Sequence, residues 1–457
     1  MKKITLIFFL IMLSNICFAQ NIASRRAASL GLGTNFSYFE NYWNGTPAKH
    51  YGDYIKAIEV TKRKQELSDA ASQGIKSVRL PVCFSAWASL NPPYNWEYPQ
   101  NFAAIDSMIS WTLARNMKII IDLHHPEMDG KFPTALNLER LTWIWEQVAN
   151  RYKTSDPEKV IFELWNEPHD MTAQAWLNYA SPLLKTIRTI APNHTIIVGA
   201  SDWNGINALT KFLPFQDSNI IYTFHFYDPF VFTHQGASWA GLQDVKNVPY
   251  PSGKSNPAVP ASVKGSWIEG AINNYKNDGT NDAILKQILF AKQWSLNNNV
   301  PIFCGEFGSY GDFAGEVSRC NHVFACYKAL GSVDIPCAFW EWDGGFNLFQ
   351  RGSTTTLSNC AKEAMALYVS KQKPLSTTNQ TEETTYIYPN PVRDTFKINS
   401  KEKIDYIVLI DVTGKTVAEL KTIENQADIS QVPTGFYTVK LFGINQKLIG
   451  FQKVIKN

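Results

Sequence analysis

Charge is scarce in this sequence. Asp, Glu, Lys and Arg make up 18% of the 457 residues, and 43 basic against 40 acidic side chains leave a formal net charge of +3. The basic surplus sits at the ends, in Lys2 and Lys3 and in residues 386–457, which hold ten Lys/Arg against seven Asp/Glu. The stretch between is slightly acidic, so no basic face is available and no nucleic acid partner is expected. No apolar run is long enough to cross a bilayer, so the mature chain is expected to have no transmembrane segment. No GxGxxG follows the first apolar run, which removes support for a dinucleotide-binding open sheet. No G-x-S-x-G appears, so a serine hydrolase of that type lacks its nucleophile turn. No paired C-x-x-C appears either, and no cofactor or metal is expected. Beyond residue 370 there is no Trp, no Cys and no His.

Apolar residues, at 45%, allow a large buried core, and the length allows two to four domains or one barrel with an appendage. The first 20 residues, MKKITLIFFLIMLSNICFAQ, read as a secretory leader. Two lysines precede about ten apolar residues, a polar break and a small residue, with cleavage expected after Ala19. Ile16 before Cys17 is too large for lipoprotein processing. Six cysteines remain, Cys83, Cys304, Cys320, Cys326, Cys337 and Cys360. In an exported chain they allow 15 disulfide connectivities, while their apolar surroundings suit buried free thiols equally well. All 14 tryptophans lie between Trp43 and Trp342. Most are core candidates, yet the surplus also suits sugar rings, whose C–H faces stack on indole.

Strand-like runs occur at 30–37, 77–84, 118–125, 160–166, 195–201, 220–227, 301–307 and 336–343. Helical patterns lie near 56–73, 103–116, 138–152, 173–190, 205–212, 282–298, 316–331 and 358–369. In the third of these, Leu138, Leu141, Ile144, Trp145 and Val148 recur at three- and four-residue spacing. Eight strands alternating with eight helices predict a parallel (β/α)8 barrel over residues 20–370. Arg79, His124, Asn166, Glu167, His225, Tyr227, Glu306 and Trp340 all fall at or near the C-terminal ends of their strands, where such a barrel opens its active site. The connection 228–281, rich in Pro, Gly, Ser and Trp, is long enough to wall that mouth. Residues 371–385 read as a linker. From 386 to 457 short alternating strands with turn signals predict a β-sandwich.

Two carboxylates over one mouth are the minimum for glycoside hydrolysis. Glu167 and Glu306, at the ends of the fourth and seventh strands, are the candidates. One must give a proton to the leaving oxygen, and the other must attack the anomeric carbon. Arg79 is placed to hold Glu306 ionised, Tyr227 to donate to it, and His225 to orient the acid. Asn166 can bond a substrate 2-hydroxyl, and Trp340 offers a flat floor to a sugar ring. His124 and His125 are candidate substrate contacts; as a metal pair they lack an evident third ligand.

The ordered set VRLPV, IIIDLHH, LWNEP, FHFYDPF, FCGEFG and AFWEW, one per strand, resembles glycoside hydrolase family 5, the cellulase family of retaining barrel enzymes. The resemblance covers about residues 25–370 and implies Glu167 as acid/base and Glu306 as nucleophile. It implies a β-linked polysaccharide substrate. The segment PFVFTHQGASW is similar to bacterial endoglucanases and favours β-1,4-glucan, with mannan, glucomannan, xyloglucan or β-1,3-glucan as alternatives. A non-catalytic glycan-binding surface protein is the rival outside enzymes. YPNPVRDTFKI, LIDVTGKTV, DIS and TGFYTVKL resemble the type A sorting domain of the type IX secretion system found in Bacteroidetes. That implies a secretion-machinery partner and an extracellular or cell-surface location; the absence of Trp tells against a carbohydrate-binding module. A monomer is expected.

The segment FELWNEPHD, 162–170, sets a sharper test. Strand alternation puts Glu163, Trp165 and Glu167 on one face and Asn166 on the other. The chemistry needs Asn166 and Glu167 at one mouth, so an irregular strand end is expected before Pro168. Glu163 is then expected deeper in the barrel as a hydrogen-bonded structural acid.

Overall fold

The computed structural model describes residues 21–40, 60–125, 135–311, 313–371, 386–400, 402–411, 415–444 and 448–456. The expected leader, almost all of the linker and the start of the helix expected at 56 lie outside the described residues. The chain divides into two units near residue 373.

In the first unit eight strands close into a barrel, each parallel to its neighbours. They are β1 (Leu32–Asn35), β2 (Ser77–Val82), β3 (Lys118–Leu123), β4 (Val160–Glu163), β5 (Ile196–Gly199), β6 (Ile220–Phe226), β7 (Ile302–Phe307) and β8 (Cys337–Phe339). Both faces of these strands are covered, so they read as near-continuous apolar runs with isolated polar interruptions. Register places the interruptions side by side. Arg79 is aligned with Asn35, Asp122 with Glu163, and His225 with Glu306. The outer helices turn apolar stripes inward: Leu141, Ile144, Trp145 and Val148 are buried, as the spacing predicts, with Leu138 packed beside them.

The connection 228–281 holds a helix of its own, Trp267–Asp278, that the sequence reading does not include, and a second helix without a predicted counterpart precedes the first barrel strand. Ile22–Leu30 forms a helix, capped where the Asn21 side chain accepts a hydrogen bond from the Ala23 backbone N–H. Its Ala23, Ala27 and Leu30 pack with Ile120, Ile161, Ile197, Ile221, Phe303 and Ala338, one residue from each of six barrel strands. These strand residues lie toward the start of their strands, so the helix closes the end of the barrel away from the active-site mouth. Arg26 fixes it from the side, donating to Glu158 (2.7 and 3.0 Å) and Thr195 (2.9 Å). The sequence IASRRAASL is short and weakly patterned, which is why periodicity does not reveal it.

Cys320 and Cys360 form a disulfide between the helices Glu316–Ser332 and Asn359–Lys371. Cys83, Cys304, Cys326 and Cys337 are buried and take part in no disulfide among the described residues. Both readings of the cysteines therefore apply, to different residues.

The second unit has a three-stranded sheet, Gln426–Asp428, Thr395–Asn399 and Tyr386–Tyr388, and a four-stranded one. The latter runs Thr416–Lys421, Ile404–Ile410, Gly435–Gly443 and Leu448–Lys456, all pairs antiparallel. Ile387, Phe396 and Ile398 of the first sheet share one core with Ile407, Leu409, Val439, Leu441 and Val454 of the second. Two sheets closed on one apolar layer make the predicted sandwich.

Candidate active site

The site is organised from below by Arg79, which is completely buried in the barrel. Its Nε donates to Glu163 Oε2 (2.6 Å) and its Nη2 to Glu163 Oε1 (2.9 Å), a bidentate pair. Nη2 also donates to Asn166 Oδ1 (2.8 Å) and lies 3.1 Å from Asp122 Oδ2. Nη1 donates to Asn35 Oδ1 (3.0 Å) and to Glu306 Oε1 (2.7 Å). Every donor is engaged by protein, so Arg79 has none left for substrate. It positions the residues that face the mouth.

Glu306, near the end of β7, accepts on its other oxygen from the Tyr227 hydroxyl (2.8 Å). Both its oxygens thus receive donors, the arrangement a carboxylate accepts. Burial, with Glu306 beside it, pushes the Tyr227 hydroxyl well above its ordinary value, so it stays a donor.

Glu167 meets different surroundings. Burial pushes its carboxyl up to about 7, against the pull of His124, His125 and Arg79. Its Oε1 lies 2.6 Å from His225 Nδ1. Burial drives His225 down to about 4, so the ring is neutral. His225 Nε2 has no hydrogen-bond partner among the described residues. We assign its single proton to Nδ1, because an orphaned acceptor costs less than an orphaned N–H. Nδ1–H then donates to Oε1 and leaves Oε2 of Glu167 for a proton directed at the mouth.

The approach to Glu167 explains its placement. β4 ends at Glu163, and Glu167 has a left-handed φ of +48°. Trp165 turns outward, against Trp176 and Tyr179 of the helix Ala173–Ile190. Asn166 and Glu167 thereby reach one mouth, as the irregular strand end requires. Asn204 supports the turn from β5. With its amide oxygen toward the Glu167 N–H (3.2 Å) and its nitrogen toward the Ala200 carbonyl (2.9 Å), both groups are satisfied. Gly199 makes room for it, since a Cβ there would lie under 3 Å from the Asn204 amide.

At the other side of the mouth, Asp122 Oδ2 lies 2.6 Å from His124 Nδ1. His124 Nε2 and His125 Nε2 lie 3.2 and 3.6 Å from Glu40 Oε2. Burial alone would depress His124, but Asp122 and Glu40 raise it to about 10. Burial alone would raise Glu40, but the two histidines hold it at about 2. The His124 ring stacks on Trp340 at 5.7 Å and 9°. Below Trp340, Ser37 donates to Glu341, whose carboxyl burial pushes up to about 8. The connection after β6 packs beside Tyr227, with Thr233 Oγ1 donating to the Tyr227 carbonyl and the His234 ring 5.0 Å from the Tyr227 ring.

Glu40, Asn35, Asp122, Asn204 and Glu341 were not singled out from the sequence. Asp122 had a signal: it sits two residues before His124 and so shares its face. An oxygen of Glu167 and one of Glu306 lie within 4.8 Å of each other. Oxygens this close lie nearer the roughly 5–5.5 Å carboxyl spacing of retaining glycosidases than the roughly 6.5–9.5 Å of inverting ones.

Residues 386–457 match the secretion system C-terminal sorting domain. No helix among the described residues is long and apolar enough to cross a membrane. Endoglucanase 3 of Fibrobacter succinogenes is 33% identical over 308 residues, 62% of this chain and 46% of that protein. Endoglucanase H of Acetivibrio thermocellus is 27% identical, over 68% of this chain and 29% of its own length. This chain thus spans less than half of either. The solved structure of endoglucanase Cel5A from Thermotoga maritima is 29% identical, with a TM-score of 0.60, covering 75% of this chain and 99% of that one. The same Thermotoga protein has been solved with cellobiose and with mannotriose. Residues 35–345 match the cellulase model, and the chain belongs to that family, glycosyl hydrolase family 5.

Proposed function

We propose that the barrel is an endo-β-1,4-glucanase that hydrolyses glucan chains with retention at the anomeric carbon. The observation that carries this reading is the contrast between two neighbouring carboxyls. Glu167 holds its proton to about pH 7 beside a neutral imidazole, while Glu306 receives donors on both oxygens. In the first step Glu306 attacks the anomeric carbon as Glu167 gives its proton to the leaving oxygen. In the second, Glu167 takes a proton from the water that releases the glycosyl-enzyme. The His225 Nδ1–H bond serves Glu167 in both states, since its Oε1 is an acceptor whether or not Oε2 is protonated. Asn166, His124, His125 and Trp340 line the place for the sugar, with the Asn166 amide nitrogen left to a 2-hydroxyl. Endoglucanase relatives support the glucan, and the mannotriose bound by the Thermotoga protein supports glucomannan as second substrate.

Residues 1–19 serve as the export leader, residues 371–385 as a linker and residues 386–457 as the address for the secretion machinery. The mature enzyme acts as a monomer outside the cell or on its surface. Purified mature protein assayed on carboxymethylcellulose, barley β-glucan, glucomannan and mannan tests the substrate. Highest kcat/KM on mannan would overturn the glucan assignment, and product of inverted anomeric configuration would overturn the mechanism.

A further inference from the structure

Adjacent residues on a strand point to opposite faces, so a His-His pair at a strand end would not normally converge. His125 breaks the alternation with a φ of +46°. Its ring comes to 4.2 Å from that of His124, and both Nε2 atoms face one oxygen of Glu40. Zinc bonds of about 2.0–2.1 Å to nitrogen and oxygen put tetrahedral ligands roughly 3.3 Å apart. The two edges at Glu40, 3.2 and 3.6 Å, are close to that figure, and all three ligand atoms lie within 4.8 Å of one another. Asp122 on His124 Nδ1 is the carboxylate that metal-bound histidines typically carry on their second nitrogen, fixing the ring and its tautomer. Two imidazoles and one carboxylate favour zinc or another late divalent metal over calcium or magnesium, which prefer oxygen.

We propose that Glu40, His124 and His125 form a zinc-binding site on the floor of the cleft, through which Zn²⁺ acts as a reversible competitive inhibitor. The ion takes the place between His124 Nε2 and Glu40, and the proton held there leaves to solvent. His124 and His125 also line the proposed place of the sugar, and the His124 ring lies against Trp340, so an ion held on their Nε2 atoms takes contacts that the sugar would use. The inhibition rests on the glucanase reading; the binding does not.

Calorimetric titration of the untagged full chain with ZnCl₂ is expected to give one ion per chain, weakened at least tenfold by Glu40→Ala and by His125→Ala. Co²⁺ added to the unsubstituted protein is expected to show the visible absorption of a tetrahedral site, so the test stands even where a variant folds poorly. On barley β-glucan, zinc should raise KM with kcat unchanged, reversed by chelator. No binding, binding undiminished in both variants, or bound zinc that leaves KM unmoved would overturn the proposal. A chain that hydrolyses no glucan even without zinc would overturn the glucanase reading, while the calorimetry and the cobalt spectrum still decide the site.

Discussion

Replacing Glu167 by Gln separates the acid from the nucleophile. Gln keeps the size of the side chain and an oxygen to accept from His225 Nδ1–H, but has no acidic proton for a leaving oxygen. With its carboxyl at about 7, Glu167 is about 90% protonated at pH 6 and about 10% at pH 8. A positioned general acid contributes about 10²–10⁴-fold, or roughly 3–5 kcal/mol of barrier. On barley β-glucan at pH 6, Glu167→Gln should therefore lower kcat/KM by about 10²–10⁴. A dinitrophenyl β-cellobioside expels a stable phenolate and needs no proton, so its kcat/KM should change less than about tenfold. Glu306→Gln should abolish both. For the unsubstituted enzyme the glucan profile should fall about tenfold per pH unit above 7, and the aryl profile should lack that limb. Equal losses on the two substrates in Glu167→Gln, or the same alkaline limb for both, would refute the acid assignment.

Tyr227→Phe removes a 2.8 Å hydrogen bond to Glu306 without changing the ring. Such bonds to charged groups are worth about 1.5–3 kcal/mol, so kcat/KM should drop roughly 10–150-fold on both substrates, read by steady-state kinetics. Glu163 has its carboxyl raised to about 7 by burial, so the folded state binds more protons than the unfolded one between the ordinary carboxylate value and that point. Its contribution is complete at low pH and is lost as pH rises toward and through 7. Glu163→Gln should flatten that decline in chemical denaturation followed from pH 5 to pH 8. Cys320→Ser opens a loop spanning 40 residues, and chain entropy predicts a loss of about 4 kcal/mol in the same measurement, with kcat/KM unchanged at 25 °C.

What could be read beforehand divides by physical cause. That Glu167 and Glu306 meet at one mouth was legible because each falls at or just past the end of its strand, where a closed parallel barrel gathers side chains. The barrel was legible because eight strands and helices alternate with two distinct periods. Glu40 was not, since it lies in a loop five residues past β1, where neither period operates. His125 was legible as a residue but not as a direction, because its left-handed φ is set by the turn and not by its type. Arg79 was legible as a partner of Glu306, yet its complete burial under five partners needs the registers of β1, β2, β3, β4 and β7 together. The helix Ile22–Leu30 contributes three small or medium side chains to a core made by other strands, so its own pattern is faint.

Four carboxyls surround one guanidinium at the mouth end of the barrel. Asp122, Glu163, Glu167 and Glu306 crowd one end of the barrel, and like charges at this range cannot all be ionised without cost. Arg79 donates to Glu163 and Glu306 and pairs with Asp122, but gives no hydrogen bond to Glu167. Glu167 is instead paired with an imidazole that burial keeps neutral. The left-handed turn that lifts it toward the mouth also takes it beyond a hydrogen bond from Arg79, though not beyond its charge. Glu167 therefore carries its raised carboxyl toward the mouth, while the fixed donors converge on Glu306. FELWNEPHD holds both outcomes four residues apart: Glu163 below, bonded to the cation, and Glu167 above, without that bond.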